Sequence, residues 1–205
     1  GKSTLVNRLA GQKVAIVSSR PQTTRHRIRA VWNAPGVQMV LVDTPGIHRP
    51  LHQLGEQLVA EAERSLSDVD VVLVVVDATD QPGPGDQRVV DLAMASGRPV
   101  ILILNKVDRL GQKSPFLEAY LALGAFAGWH AISAQKGGGV AALARDLARR
   151  MPEGPALFPE DAVTDQTLRQ LAGELVREQV MRQLSDELPH ATAVSIDKFD
   201  ESDPA

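Results

Sequence analysis

Residues 99–108, Pro99-Val100-Ile101-Leu102-Ile103-Leu104-Asn105-Lys106-Val107-Asp108, join an unbroken aliphatic run to a polar turn. A run without polar alternation leaves no face for water, which is the composition of a strand covered on both sides of a parallel sheet. Residues 69–76 are almost wholly β-branched and predict a second such strand. Between the two, Gln81-Pro82-Gly83-Pro84-Gly85 is a turn, Asp86 predicts the cap of a helix running to about Ser96, and Gly97 ends it. Outward from this unit, Leu5, Val6 and Leu9 place a helix over 2–9, and an apolar strand over 37–42 ends in Asp43. Helices are expected over 51–66, 115–123 and 140–150, with a strand over 128–132. Strands alternating with helices predict an α/β fold with a doubly wound, mostly parallel sheet.

The polar residues at the strand ends carry the chemistry, because ligands in doubly wound folds bind outside the carboxyl ends of the strands. Asp108 follows the strand over 99–104, where its carboxylate can accept both N1–H and the N2 amino hydrogens of guanine, a donor pattern adenine lacks. Asn105 would fix this loop and the Lys106 stem would cover the base. Alone, Asn105-Lys106-Val107-Asp108 reads as a surface turn. Its weight comes from company in order: Gly1-Lys2-Ser3-Thr4, Asp43-Thr44-Pro45-Gly46 and Ser133-Ala134-Gln135-Lys136 stand at the approximate spacing of a guanine-nucleotide-binding domain. Gly1 to Thr4 match the end of Gly-x4-Gly-Lys-Ser/Thr, a P-loop in which backbone N–H groups cradle phosphates, the Lys reaches β and γ oxygens, and the Ser binds Mg²⁺. The first half of that loop is expected upstream.

Asp43 can hold Mg²⁺ through water, since a hard cation keeps most of its waters. The Gly46 N–H can bond a γ-phosphate and report its presence. The Ala134 N–H, in the loop opened by Ser133, is expected to reach guanine O6, and Gly137-Gly138-Gly139 to turn into the next helix. Pro21-Gln22-Thr23-Thr24-Arg25-His26-Arg27 stands where a switch segment supplies a Thr hydroxyl to Mg²⁺. Thr24 is favoured, with Thr23 as the alternative. Arg20, Arg25, Arg27 and Arg29 read as a solvated basic loop, with an RNA or regulatory contact as the alternative. Ile47 occupies the position where some GTPases carry a water-orienting Gln, so backbone groups, the Thr segment or a monovalent cation stand as alternatives for arranging hydrolysis. The five histidines show no metal-ligand spacing.

Composition bounds the partners. With 22 basic and 25 acidic residues among 205, a net charge of −3 gives no whole-chain attraction to nucleic acid, so any such contact is local. No apolar run reaches the roughly 18 residues of a membrane span, which makes a cytoplasmic protein the default and leaves only peripheral membrane association compatible. Zero cysteines exclude disulfides and thiolate metal sites.

The pattern changes at Met151. Four prolines fall within Met151-Pro152-Glu153-Gly154-Pro155 and Phe158-Pro159-Glu160-Asp161, as in a linker over the domain surface. Residues 1–150 are therefore expected to form a GTP-binding domain, 151–163 a linker and 164–205 the beginning of another domain. In the last, a helix over 164–184 would bury Leu168, Leu171, Leu175, Val176, Val180 and Leu184, and 192–199 would form an edge strand.

The ordered set Gly1-Lys2-Ser3-Thr4, Pro21-Gln22-Thr23-Thr24-Arg25-His26-Arg27, Asp43-Thr44-Pro45-Gly46 and Asn105-Lys106-Val107-Asp108 resembles the Era family of bacterial GTPases. So does the tail, with Phe158-Pro159-Glu160-Asp161, Thr164-Asp165, Glu174, Arg177-Glu178 and Glu187-Leu188-Pro189-His190. The resemblance implies GTP and GDP with Mg²⁺ as cofactors and hydrolysis of GTP, with Lys2, Thr24 and Gly46 acting on the γ-phosphoryl. It implies a KH-type RNA-binding domain from 164 onward, whose Gly-x-x-Gly loop would lie beyond this chain. Small-subunit rRNA and the 30S ribosomal subunit are the implied partners, and the protein is expected to be a monomer. Two alternatives stand beside this reading: a related GTPase of tRNA modification or large-subunit assembly, and a nucleotide-dependent interaction module with little turnover.

Overall fold

The computed structural model describes residues 1–18, 23–24, 27–44, 66, 68–111, 115–183 and 193–200. Helix α1 (Lys2–Ala10) buries Leu5, Val6 and Leu9 and ends at Gly11. Strands β1 (Ile28–Ala34) and β2 (Val37–Asp43) form an antiparallel hairpin. Then follow β3 (Val72–Asp77), α2 (Pro84–Ala95), β4 (Val100–Asn105), α3 (Leu117–Leu121), β5 (Gly128–Ala131), α4 (Val140–Ala148) and α5 (Leu168–Gln183).

The parallel sheet, in the order β3-β4-β5, is the frame of the molecule. All six residues of β4 are buried, as its aliphatic run requires. Because side chains alternate along a strand, Ile101 and Ile103 pack with Leu5 and Leu9 of α1 and Leu143 and Leu147 of α4. Leu102 and Leu104 pack on the other face with Val90 and Ala93 of α2 and Tyr120 of α3. Truncating a chain such as Leu102 to Ala would cost about 2–5 kcal/mol, since both its lost transfer energy and the cavity count.

The register of the frame places the site. Asp77 pairs with Asn105 at the carboxyl edge of β3 and β4, so two polar side chains emerge together where the aliphatic runs stop. Beyond β5, Gly139 has φ +75, and a Cβ there would stand 2.3 Å from the Ala131 carbonyl, so this turn into α4 admits only glycine.

The α/β class with a parallel sheet is as expected, while several details differ. Among the described residues no ladder joins the parallel sheet to the β1-β2 hairpin, and one cavity is lined by both β2 and β3, including Val40, Val42, Leu73 and Val75. Strand β1 is absent from the sequence reading, because Arg29 and Asn33 interrupt its apolar pattern. Asp86 is not the cap of α2: Gly83 caps it, Pro84 opens it, and the Asp86 carboxylate accepts the Gly83 N–H at 2.9 Å from the third helical position. Helix α5 begins at Leu168, and its buried residues are Gly173, Arg177, Glu178 and Met181, while Leu168, Leu175 and Val176 are exposed. Residues 193–200 form no strand; Ile196 instead lies over Gly173, and its carbonyl accepts the Arg169 Nε–H at 2.9 Å. The expected helix over 51–66 lies outside the described residues except for Leu66, which is helical.

Residues 157–166 run along the hairpin. The Leu157 and Phe158 N–H groups donate to Gln38 Oε1 at 2.7 and 2.9 Å, and Asn33 Nδ2 donates to the Glu160 carbonyl at 2.8 Å. The Val31 N–H donates to the Val163 carbonyl at 2.9 Å, and Thr164 Oγ1 donates to the Arg29 carbonyl at 2.8 Å. A proline-rich stretch that cannot build its own ladder is thus satisfied by β1 and β2.

Candidate nucleotide-binding site

At the N-terminus of α1, Ser3, Thr24 and Asp43 meet. Ser3 Oγ lies 3.1 Å from Thr24 Oγ1, which donates to Asp43 Oδ2 at 3.2 Å. Asp43 ends β2, only 1% exposed, and its Oδ1 is buried without any hydrogen-bond partner. Burial pushes the Asp43 carboxyl above its ordinary pKa, opposed by the Ser3 hydroxyl, the Lys2 charge and the Thr24 hydroxyl. A buried carboxylate oxygen with no donor is costly unless something cationic or water-bearing reaches it. The donor set, two hydroxyls and one carboxylate, suits a hard cation that retains waters and takes its remaining oxygens from phosphate. Mg²⁺ fits these residues. Among the described residues no group of three or more His, Cys, Asp or Glu forms a metal cage.

Of the two candidate threonines, Thr24 is the one in this cluster, while the Thr23 carbonyl is turned toward α5. Lys2 and Thr4 lie in the first turn of α1, whose free N–H groups and positive dipole end favour anions. Gly46, with Pro45 and Ile47, lies outside the described residues, as do Pro21, Gln22, Arg20, Arg25 and His26.

The second half of the site forms at the carboxyl ends of β3 and β4. Asn105 is buried, and its Oδ1 accepts the Ala134 N–H at 3.0 Å. The Ala134 N–H is therefore already engaged within the protein. Asp108 is part-exposed at the surface, and a hydrogen bond from the Ser133 side chain holds its carboxyl below the ordinary pKa, so it is a charged acceptor at neutral pH. Ser133 Oγ also accepts the Lys136 N–H at 3.0 Å, closing the loop on itself.

Lys106 has φ 68, the left-handed conformation that β-carbon sterics disfavour, and is the one non-glycine residue with positive φ among the described residues. Its ammonium donates to the Asp77 carboxylate across the strand ends. Asp77 also accepts Thr79 Oγ1 at 2.7 Å and the Thr79 N–H at 3.1 Å. Burial works against this charge, but the Lys106 and Thr79 bonds win and lower its pKa. Sequence reasoning misses Asp77, although its place at the end of an aliphatic strand paired with β4 is the available signal. It also misses Arg8, whose Nε donates to the Ala134 carbonyl at 3.2 Å and whose Nη2 donates to the Gln135 carbonyl. Arg8 ties α1 to the loop that follows β5. The two halves also touch at Gly1, where a Cβ would lie 3.5 Å from Asn105 Nδ2.

A parallel α/β sheet with a helix N-terminus beside a metal-ready Asp, Ser and Thr, and with an Asn-Lys-x-Asp loop braced by Ser-Ala-Gln, defines a P-loop GTPase, whose ligands are guanine nucleotides and Mg²⁺. The sequence profile of the family described as 50S ribosome-binding GTPase matches residues 1–106. The chain is 48% identical over 205 residues to GTPase Era of Stenotrophomonas maltophilia strain K279a, covering 98% of this chain and 68% of that one. It is 43% identical over 204 residues to GTPase Era of Geobacter metallireducens, with the same coverages. Among solved structures, Era in complex with MgGDPNP and nucleotides 1506–1542 of 16S ribosomal RNA superposes with a TM-score of 0.87 at 38% identity, covering 93% of this chain and 66% of that one. A single-substitution variant of Aquifex aeolicus Era bound to GDP·AlF4⁻ gives the same TM-score and identity over 92% and 65%. The chain belongs to the GTPase Era family.

Proposed function

We propose that this protein hydrolyses GTP in the cytoplasm and acts, as a monomer, in assembly of the 30S ribosomal subunit by binding small-subunit rRNA. The observation that carries the nucleotide reading is the meeting of Ser3, Thr24 and Asp43 around a buried, unpartnered carboxylate oxygen at the N-terminus of α1. In this reading Gly1, Lys2, Ser3 and Thr4 belong to the phosphate loop, and Lys2 stabilises charge on the β and γ oxygens. Ser3 and Thr24 place hydroxyl oxygens on the metal, Asp43 holds its waters, and Gly46 reports the γ-phosphate. Mg²⁺, when bound, neutralises charge developing on the phosphates during transfer to water. Asp108 reads the guanine edge, Asn105 and Ser133 hold the two loops together, the Lys106 stem covers the base, and Ala134 meets O6. Backbone groups, the segment that carries Thr24 or a monovalent cation near the phosphates would assist orientation of the attacking water.

The RNA reading rests on the resemblance of the tail and on similarity to an Era chain solved with 16S rRNA. We assign 1–150 to the GTPase domain, 151–163 to a linker and 164–205 to the start of a KH-type domain, which reads splayed single-stranded bases. No helix among the described residues is long and apolar enough to cross a membrane. In the full-length protein, a small-subunit rRNA 3′-end oligonucleotide should bind at least about tenfold tighter than a scrambled one at physiological salt with a GTP analogue present. Equal affinities would defeat the RNA assignment, and absence of GTP hydrolysis by a folded, nucleotide-bound protein would favour the interaction-module alternative.

A further inference from the structure

Helix α5 grips the segment that leads from α1 to Thr24. The Lys13 ammonium pairs with the Glu178 carboxylate, and the Val17 N–H donates to Glu178 Oε1 at 3.0 Å. Gln166, just before the helix, donates from Nε2 to the Val14 carbonyl at 2.8 Å. Arg177 Nη2 donates to the Thr23 carbonyl at 2.7 Å. The guanidinium is aimed by a fork onto Glu174, with Nε to Oε1 at 2.9 Å and Nη2 to Oε2 at 2.6 Å, and its Nη1 lies 3.5 Å from Met181 Sδ.

Glu178 and Arg177 are buried to within 0% and 3% exposure, while apolar Leu168 and Val176 on the same helix face solvent. Burying two charges where aliphatic residues were to hand is unfavourable unless each is paired and its position matters. What the charges reach is backbone: the Val17 N–H and the Thr23 carbonyl. The Thr23 carbonyl belongs to the peptide unit that ends at the Thr24 nitrogen, so a charged donor fixing that plane fixes the Thr24 Cα. Thr24 Oγ1 then stands at 3.1 Å from Ser3 Oγ and 3.2 Å from Asp43 Oδ2.

We propose that Arg177 is a positioning residue for the metal site, holding Thr24 in place through the Thr23 carbonyl and thereby coupling α5 to the γ-phosphate state of the nucleotide. This rests on the reading of Thr24 as a metal ligand. Coupling of this kind is reciprocal: whatever moves α5 changes metal retention, and metal with γ-phosphate changes the docking of α5. Because Thr24 engages the metal when the γ-phosphate is present, the effect belongs to the triphosphate complex and not to the GDP complex.

The test uses the full-length protein and reads dissociation of a fluorescent non-hydrolysable GTP analogue, and separately of fluorescent GDP, across a series of Mg²⁺ concentrations. For Arg177→Ala the Mg²⁺ needed to retain the analogue should rise about tenfold, with the GDP curve unchanged within about twofold. Arg177→Lys, which keeps the charge but not the fork, should lie between Arg177→Ala and wild type. Arg169→Ala, on the same helix but bonded to the Ile196 carbonyl, should superpose on wild type. An Arg177→Ala analogue curve that matches wild type overturns the proposal, as does an equal shift for GDP. If Arg177→Ala fails to fold by thermal unfolding, Arg177→Lys decides, with a shift of about threefold expected and none contradicting. A wild-type protein that binds GDP but retains the analogue independently of Mg²⁺ would instead refute the metal reading beneath it.

Discussion

Asn105 Oδ1 accepts the Ala134 N–H at 3.0 Å, so the side chain that ends β4 holds the loop that follows β5. Replacing Asn105 with Ala leaves a buried N–H without a partner, a penalty of about 1–3 kcal/mol. The loop carrying Ser133 and Ala134 would then drift from Asp108. GDP affinity of Asn105→Ala, measured by titration, should fall about tenfold or more, while the Mg²⁺ dependence of what binding remains stays near wild type.

Asp77 should matter for the same loop from the other side. Lys106 occupies a left-handed backbone conformation with its ammonium on the Asp77 carboxylate, and removing that partner releases the lysine stem proposed to cover the base. Asp77→Ala should speed GDP dissociation by about three- to tenfold. In a Lys106→Ala background the same substitution should have little further effect, because a double-mutant cycle isolates the pair. Additive effects in that cycle would show that Asp77 acts through Thr79 instead.

These two partnerships show what the sequence makes legible and what it hides. Strand β4 and the Asn105 to Asp108 turn are readable because an aliphatic run ending in polar residues has few other uses. The pairing of Asp77 with Lys106 is not, since it depends on the register of β3 against β4, which one strand's composition does not encode. Strand β1 is hidden by Arg29 and Asn33, whose side chains bond Asp165 and the Glu160 carbonyl and so make sense only once the chain near 160 lies alongside. The largest reversal lies in α5. Helical periodicity identifies an apolar stripe that contains Leu168, Leu175 and Val176, yet Arg177 and Glu178 face inward because their partners, the Thr23 carbonyl, the Val17 N–H and Lys13, are more than 150 residues away in sequence. Periodicity measures apolar area and is blind to long-range polar pairing.

Glu178 gives the docking of α5 a defined response to acid. Burial alone would raise its carboxyl pKa, but the Lys13 ammonium, the Val17 N–H and Arg182 outweigh that and hold it below its ordinary value of 4.5. A depressed folded-state pKa means that the stabilisation is complete above that ordinary value and is lost as pH falls through the folded one. Glu178→Gln should therefore destabilise the protein by about 1–3 kcal/mol near neutral pH, the cost of weakening the bonds of a buried acceptor whose cationic partners, Lys13 and Arg182, are themselves half-exposed. In denaturant unfolding the gap between wild type and variant should close as pH drops below that ordinary Glu value. A gap that persists or widens in acid would mean that Glu178 is held for its shape and not its charge.

In the proposed site, Asp108 reads the N1–H and N2 amino edge of guanine from the carboxyl edge of the sheet. Asp108→Asn replaces one carboxylate acceptor by an N–H donor, which opposes the guanine N2 amino group and matches the carbonyl that xanthine carries there. Competition between GTP and XTP for the full-length protein, wild type against Asp108→Asn, is the most direct measurement. Wild type should prefer GTP and the variant should invert the order, moving the ratio of affinities by about a hundredfold or more. An Asp108→Asn protein that keeps the wild-type preference for GTP would contradict the assignment.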